Sequence, residues 1–186
     1  MAILQAQKSL PKLMTEEEFM RLPDNGRKYE LVDGEARVVP ASFQHDIIGM
    51  TVGSLLRPAA KGRGYIAGAQ AGFRMTSANI RCPDISFTRK EHYPDGVPSN
   101  AFGSVAPDLC IEIISPSENR ADLKRKLREY FDSGAEQVWR MYPETETIEI
   151  FSSPTNFHVL SSEDEIDARE LLPDFRCRVG DLFALE

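Results

Sequence analysis

The sequence predicts an α/β fold: a central mixed β-sheet flanked by helices, with an N-terminal helix and a β-hairpin placed before it. Three observations carry that prediction. The periodicities run in the order helix, hairpin, helix, several strands, helix, strands. The stretch Asp108 to Ile114 is largely apolar on both faces, as a central strand covered from both sides must be. The chain's 186 residues, 41% of them hydrophobic, suffice for one substantial core, and no repeat, linker or low-complexity segment divides them. The expected organisation is a tail over 1–12 and a single domain over 13–186.

The elements follow in order. Thr15 before Glu16, Glu17 and Glu18 is a helix start with acids in its first turn, and Pro23 ends that helix. "KYELVDGEARVV" alternates about Asp33-Gly34, a strong hairpin signal, so residues 28 to 39 should form a hairpin. From His45 to Ala60, Ile47, Ile48, Val52, Leu55 and Leu56 recur at helical spacing, with Pro58 near the end. "YIAGAQAGFRM" at 65 to 75 reads as one extended segment weakened by glycines, and Pro83 to Thr88 as a strand. Residues 91 to 106 are rich in turn formers and read as a loop, and Asp108 to Ile114 is the next strand. Leu123, Leu127, Tyr130 and Phe131 mark one face of a helix that stops at Gly134. Gln137 to Met141, Thr147 to Phe151 and Phe157 to Leu160 are further strands, and a short helix closes the chain near Val179 to Ala184.

Charge and cysteine content bound the function. A net charge of −7 argues against a protein that coats nucleic acid by general electrostatics. Yet residues 57 to 90 hold Arg57, Lys61, Arg63, Arg74, Arg81, Arg89 and Lys90 against Asp84 alone, so basic surface can be local. Cys82, Cys110 and Cys177 are odd in number and widely spaced, which fits buried thiols better than disulfides or a zinc site. No apolar stretch approaches a membrane span and no leader stands at the N-terminus, so the expectation is a cytoplasmic protein without membrane contact.

The informative feature is acid inside apolar strands. On the run Asp108 to Ile114, alternate residues share a face, so Glu112 points with Cys110 and away from Ile111 and Ile113. An ionised Glu112 there is costly unless it meets a metal or a cation. Asp108 cannot share an ion with it, because four residues of strand separate them by roughly 13 Å. The second carboxylate must come from another strand, and Asp84, in the preceding apolar run, is the natural candidate. Two carboxylates on adjacent strands suit Mg²⁺ or Mn²⁺ held against a phosphate. The bland alternative is that Asp84 caps a turn after Pro83 while Glu112 pairs with an arginine.

Several ordered blocks carry a resemblance: "YELVDGE" at 29 to 35, "SFQHDII" at 42 to 48, "RCPDISF" at 81 to 87, "APDLCIEIISPS" at 106 to 117, "DLKRKLREYFDSGAEQVW" at 122 to 139 and "LPDFRCRVGDLF" at 172 to 183. Over residues 13 to 186 the chain resembles the Uma-two family of restriction-endonuclease-like proteins, within the PD-(D/E)XK nuclease superfamily. The resemblance implies a restriction-endonuclease-like fold and metal-dependent hydrolysis of phosphodiesters. It makes Asp84 and Glu112 the metal carboxylates, Glu30 a third catalytic acid and His45 a substrate-binding residue. The superfamily lysine expected two residues after the glutamate is Ile114 here; the family supplies it from the following helix, where Lys126 matches. Tyr142 replaces an aspartate common before the proline, a change expected to alter a turn and not the chemistry.

The expectation is therefore a Mg²⁺- or Mn²⁺-dependent endonuclease acting on nucleic acid, DNA foremost, with Asp84, Glu112, Lys126 and Glu30 at the chemistry. Lys126 would stabilise the added negative charge, and Arg74 and Arg81 would contact the backbone without reading bases. A homodimer is compatible with this reading. The rivals are a catalytically silent nucleic-acid-binding or regulatory module of the same fold, and an oligomerisation domain. Helical geometry alone leaves open whether Lys124 or Lys126 reaches inward, since they flank the apolar stripe on opposite sides.

Overall fold

Thr15 opens the first helix, α1 (Glu16–Met20), with a capping box: the Glu18 amide donates to Thr15 Oγ1 at 3.2 Å, and Glu18 Oε2 accepts the Thr15 amide at 2.9 Å. The computed structural model describes residues 13–23, 26–39, 42–99 and 101–186. The expected tail over 1–12 lies outside the described residues.

The hairpin forms where the sequence places it, as β1 (Lys28–Val32) and β2 (Glu35–Val39). Asp33 and Gly34 carry φ of 52° and 76°, the two positive values that a two-residue type I′ turn demands. Helix α2 (Phe43–Ala60) begins two residues before the expected His45, because Ser42 Oγ accepts the His45 amide at 3.2 Å and sets the cap there.

The segment 65 to 75 is a correction: it forms two strands in different sheets. After β3 (Gly64–Gly68), a turn closed by the Ala71 amide on the Gly68 carbonyl at 3.0 Å carries the chain out of one sheet and into the other as β4 (Phe73–Arg74). β5 (Ile80–Arg81) follows, then β6 (Ile85–Arg89), β7 (Leu109–Ile113), α3 (Arg120–Asp132), β8 (Gln137–Tyr142), β9 (Thr147–Phe151) and β10 (Phe157–Leu160). A small ribbon of β11 (Glu165–Asp167) and β12 (Arg176–Arg178) precedes a 3₁₀ turn at Val179–Phe183, where a short helix is expected. β5, β11 and β12 have two or three residues each, too few for periodicity to betray them.

The main sheet is six-stranded, in the order β10-β9-β8-β7-β6-β3, with β7 and β8 parallel across the α3 connection and the other neighbours antiparallel. It is therefore mixed, as the sequence predicts. The hairpin belongs to a second sheet, β2-β1-β5-β4. The strand β7 is buried at every position. Leu109, Ile111 and Ile113 face the core shared with α2 and the C-terminal Leu172, Phe175 and Leu182, whereas Cys110 joins Leu127 and Tyr130 of α3 on the opposite face. Those two faces are the ones that strict alternation assigns. No helix of the described residues is long and apolar enough to cross a membrane.

Candidate active site

The site lies at one end of β6 and β7, under α3 and against the hairpin. Asp84 directly precedes β6, and its amide donates to the Ile111 carbonyl at 3.0 Å. The register pairs Ile85 with Ile111, so one further step sets Asp84 across from Glu112, on the face that holds α3. Cross-strand neighbours in antiparallel pairs have Cα atoms about 4.5–5.5 Å apart. Two carboxylates that are 28 residues apart in sequence thus become adjacent through strand pairing.

Each is engaged on both oxygens. Asp84 Oδ1 accepts from Lys28 Nζ at 2.8 Å; Oδ2 accepts the Ile113 amide at 2.9 Å and lies 3.1 Å from His45 Nε2. Glu112 Oε2 accepts from Lys126 Nζ at 2.8 Å, and Oε1 from the Tyr130 hydroxyl at 2.5 Å. Lys126 Nζ also stands 3.0 Å from Glu30 Oε1, bridging the two glutamates. Glu30 accepts the Cys82 amide at 3.0 Å and Arg81 Nη1 at 2.9 Å, and Arg81 Nε donates to Glu129 at 2.6 Å. The buried Glu112 is met by a lysine, where the bland reading names an arginine.

Local periodicity explains the convergence. Lys28 and Glu30 are alternate residues of β1 and share a face, so one hairpin strand delivers a cation to Asp84 and an anion to Lys126. Lys126 and Tyr130 lie one turn apart on α3 and both descend on Glu112. The structure selects Lys126 for the interior, while Lys124 is exposed beside a surface cleft. Asp122, which could have held Lys126 from the preceding turn, lies 4.0 Å from Arg37 and 3.8 Å from Arg125 instead.

The fields follow from these contacts. Burial alone would raise Glu30, yet Lys126, Arg81 and the Cys82 amide outweigh it and bring its carboxyl to about 2. Burial opposes ionisation of Asp84 too, but its bond to His45 and the charge of Lys28 hold it well below the usual carboxylate range. For Glu112 burial prevails: its carboxyl is raised, with Asp84 adding to the rise and Lys126 acting against it. Lys126 pays a desolvation cost but is held firmly protonated by Glu112, Glu30 and Asp84. The pair is unequal, with a fixed ammonium and a carboxylate that bears the strain of burial. His45 is raised, chiefly by its bond to Asp84.

Two hard carboxylates on neighbouring strands are a donor set suited to Mg²⁺ or Mn²⁺, which bind through one or two carboxylates with water and phosphate oxygens. Among the described residues no group of three or more His, Cys, Asp and Glu gathers at ligand spacing; Asp84 and Glu112 are a pair, set side by side by the strand register. Asp108 serves elsewhere: it accepts from the Arg89 amide at 2.8 Å, from Arg89 Nη1 at 2.5 Å, and lies 3.1 Å from His92 Nε2.

The predicted backbone contacts have other partners. Arg81 is 4% exposed and is spent on Glu30 and Glu129. Arg74 grips Glu16 of α1 through Nε at 2.9 and 3.0 Å and donates to the Phe102 carbonyl. Both guanidiniums are engaged within the protein, with Arg81 Nη2 buried and without a hydrogen-bond partner among the described residues, and the basic segment 57 to 90 is no continuous stripe. Arg63 pairs with Asp174 and Arg89 with Asp108, while Arg57, Lys61 and Lys90 are exposed. Lys28 and Tyr130 are the site residues that sequence reasoning missed. The signal for Lys28 was its place two residues before Glu30 on an alternating strand; Tyr130 was read only as core.

Known proteins agree with this architecture. A crystal structure of a putative nuclease from Anabaena variabilis matches with a TM-score of 0.79 at 20% identity, covering 91% of this chain and 97% of that one, a likeness that bears on the fold. No curated protein matches the chain. The Uma2 family, described as putative restriction endonuclease, matches residues 16–180, most of the chain. The chain belongs to that family.

Proposed function

We propose that this protein is a divalent-cation-dependent endonuclease that hydrolyses phosphodiester bonds of nucleic acid, DNA foremost. The observation that carries the reading is Asp84 set opposite Glu112, with Lys126 Nζ 2.8 Å from Glu112. Asp84 and Glu112 are the residues that would hold Mg²⁺ or Mn²⁺, which when bound polarises a phosphoryl oxygen and offsets charge gathering on it. Hydrolysis adds water across one P–O bond: the water oxygen joins phosphorus, one ester oxygen leaves, and the protons of water end on the products. The extra negative charge develops on the non-bridging oxygens. Lys126, part-buried and held protonated by Glu112 and Glu30, is preorganised to meet it. Its second contact, Glu30, holds the ammonium in place and is itself held by Arg81. The side chains of His45 and Lys126 are the more accessible members, 17% and 13% exposed against 6% for Asp84, so the phosphate approaches between them and His45 serves as a substrate contact.

One observation favours the second reading, a catalytically silent nucleic-acid-binding module. Every carboxylate already has a cation, and the closed network is self-sufficient. A nuclease assay on single-stranded, duplex and structured substrates with Mg²⁺ and Mn²⁺ separates the two. Cleavage that requires the cation and is abolished in Glu112→Gln supports the enzyme. Binding without cleavage under every condition supports the silent module.

A further inference from the structure

The hairpin places a second lysine at the metal carboxylates, with no counterpart in the roles assigned above. Lys28 Nζ lies 2.8 Å from Asp84 Oδ1, and both side chains are 6% exposed. A buried ammonium is retained only where it is paired, and Asp84 is the partner given to it. The contact also occupies the one Asp84 oxygen that neither His45 nor the Ile113 amide touches. Lys28 therefore stands on the metal-facing carboxylate as a resident cation. Its neighbour on the same face of β1, Glu30, tethers the other lysine of the site.

We propose that Lys28 is an exchangeable counter-ion: it neutralises Asp84 until a divalent cation takes Oδ1, and the ammonium so released then binds the substrate phosphodiester. This inference rests on the metal-nuclease reading of the site. Its logic is electrostatic. Asp84 cannot give the same oxygen fully to an ammonium and to a divalent ion, since two cations at one oxygen repel strongly in a buried site. Lys28 therefore weakens metal binding in the free protein. Once displaced, its long flexible stem leaves a positive charge within reach of the phosphate that arrives with the metal. Removing the charge should tighten metal binding and loosen substrate binding together. A lysine that acted only through packing would not produce those opposite signs.

The test is Lys28→Gln, which deletes the charge but keeps a hydrogen-bond donor, with Lys28→Met as a second neutral variant should the first fail to fold, and Lys28→Arg as the charged control. Calorimetric titration with Mn²⁺ measures metal affinity. Fluorescence anisotropy of a labelled phosphorothioate-backboned DNA duplex, at saturating Mn²⁺, measures substrate affinity. The expected result is Mn²⁺ binding about tenfold tighter and duplex binding about tenfold weaker in the neutral variant, each a change of about 1.4 kcal/mol, with Lys28→Arg close to the parent. If the parent binds Mn²⁺ and the neutral variants leave both affinities unchanged, or move both in one direction, the exchange is refuted while the metal site stands. If neither parent nor variants bind Mn²⁺, the metal-nuclease reading falls and this inference with it.

Discussion

Lys124 and Lys126 differ by two positions on α3, and that difference of about 200° sends one to solvent and the other onto Glu112 and Glu30. A lysine that meets charge only as it develops acts on the transition state. Lys126→Ala should therefore lower turnover by about two to three orders of magnitude. The same substitution also strips a buried partner from Glu112 and Glu30, so a fall in melting temperature is expected alongside. Lys124→Ala should leave both close to the parent. Single-turnover kinetics and thermal denaturation of the two variants check this, and inactivity of Lys124→Ala alone would reverse the assignment. At this scale the sequence named Asp84, Glu112, Glu30, His45 and Lys126, all of which the structure gathers. It could not say that Arg81 would turn inward, because a guanidinium beside a strand reads the same whether its partner is a phosphate or Glu129.

Among the elements, the hairpin matters most to the site, because a single strand of it carries both Lys28 and Glu30. Its turn requires Gly34 at φ of 76°, and a Cβ there would fall 2.5 Å from Leu13 Cβ. Gly34→Ala should cost about 1–2 kcal/mol of stability, from the left-handed backbone and the clash together. Chemical denaturation measures it, and a cost near zero would show that the turn relaxes to another type. The hairpin was legible because an Asp-Gly pair between alternating runs has few other solutions. The split of residues 65 to 75 was not, since alternation gives the direction of a side chain but not the sheet to which a strand pairs.

Across the whole molecule, the net charge of −7 sits beside a buried network that joins both sheets and α3. That network makes stability depend on acid. Glu30 is depressed from the ordinary 4.5 to about 2, so its contribution is complete above 4.5 and lost as pH falls through 2. The corresponding stabilisation is about 3 kcal/mol at neutral pH. Glu30→Gln should therefore be markedly less stable than the parent at pH 7, and the gap should close between pH 4.5 and 2. Denaturant midpoints over that range measure it; a gap that is constant with pH would show that Glu30 contributes by packing and not by charge.

The sequence by itself determined the α/β class, the hairpin and its turn, the three main helices, the buried strand at Asp108 to Ile114 and, through the family resemblance, the acids and the lysine of the site. Those features are written in local periodicity, turn chemistry and motif blocks, each confined to a short stretch of chain. Only the tertiary structure decided that Asp84 stands opposite Glu112, that the Lys126 ammonium lies on Glu112, that Lys28 covers Asp84 and that Arg74 and Arg81 are occupied internally. Those outcomes depend on strand register and on which charges meet across 14 to 58 residues of sequence. Coulomb pairing in a desolvated interior is set by position in space, and local sequence pattern carries no information about it.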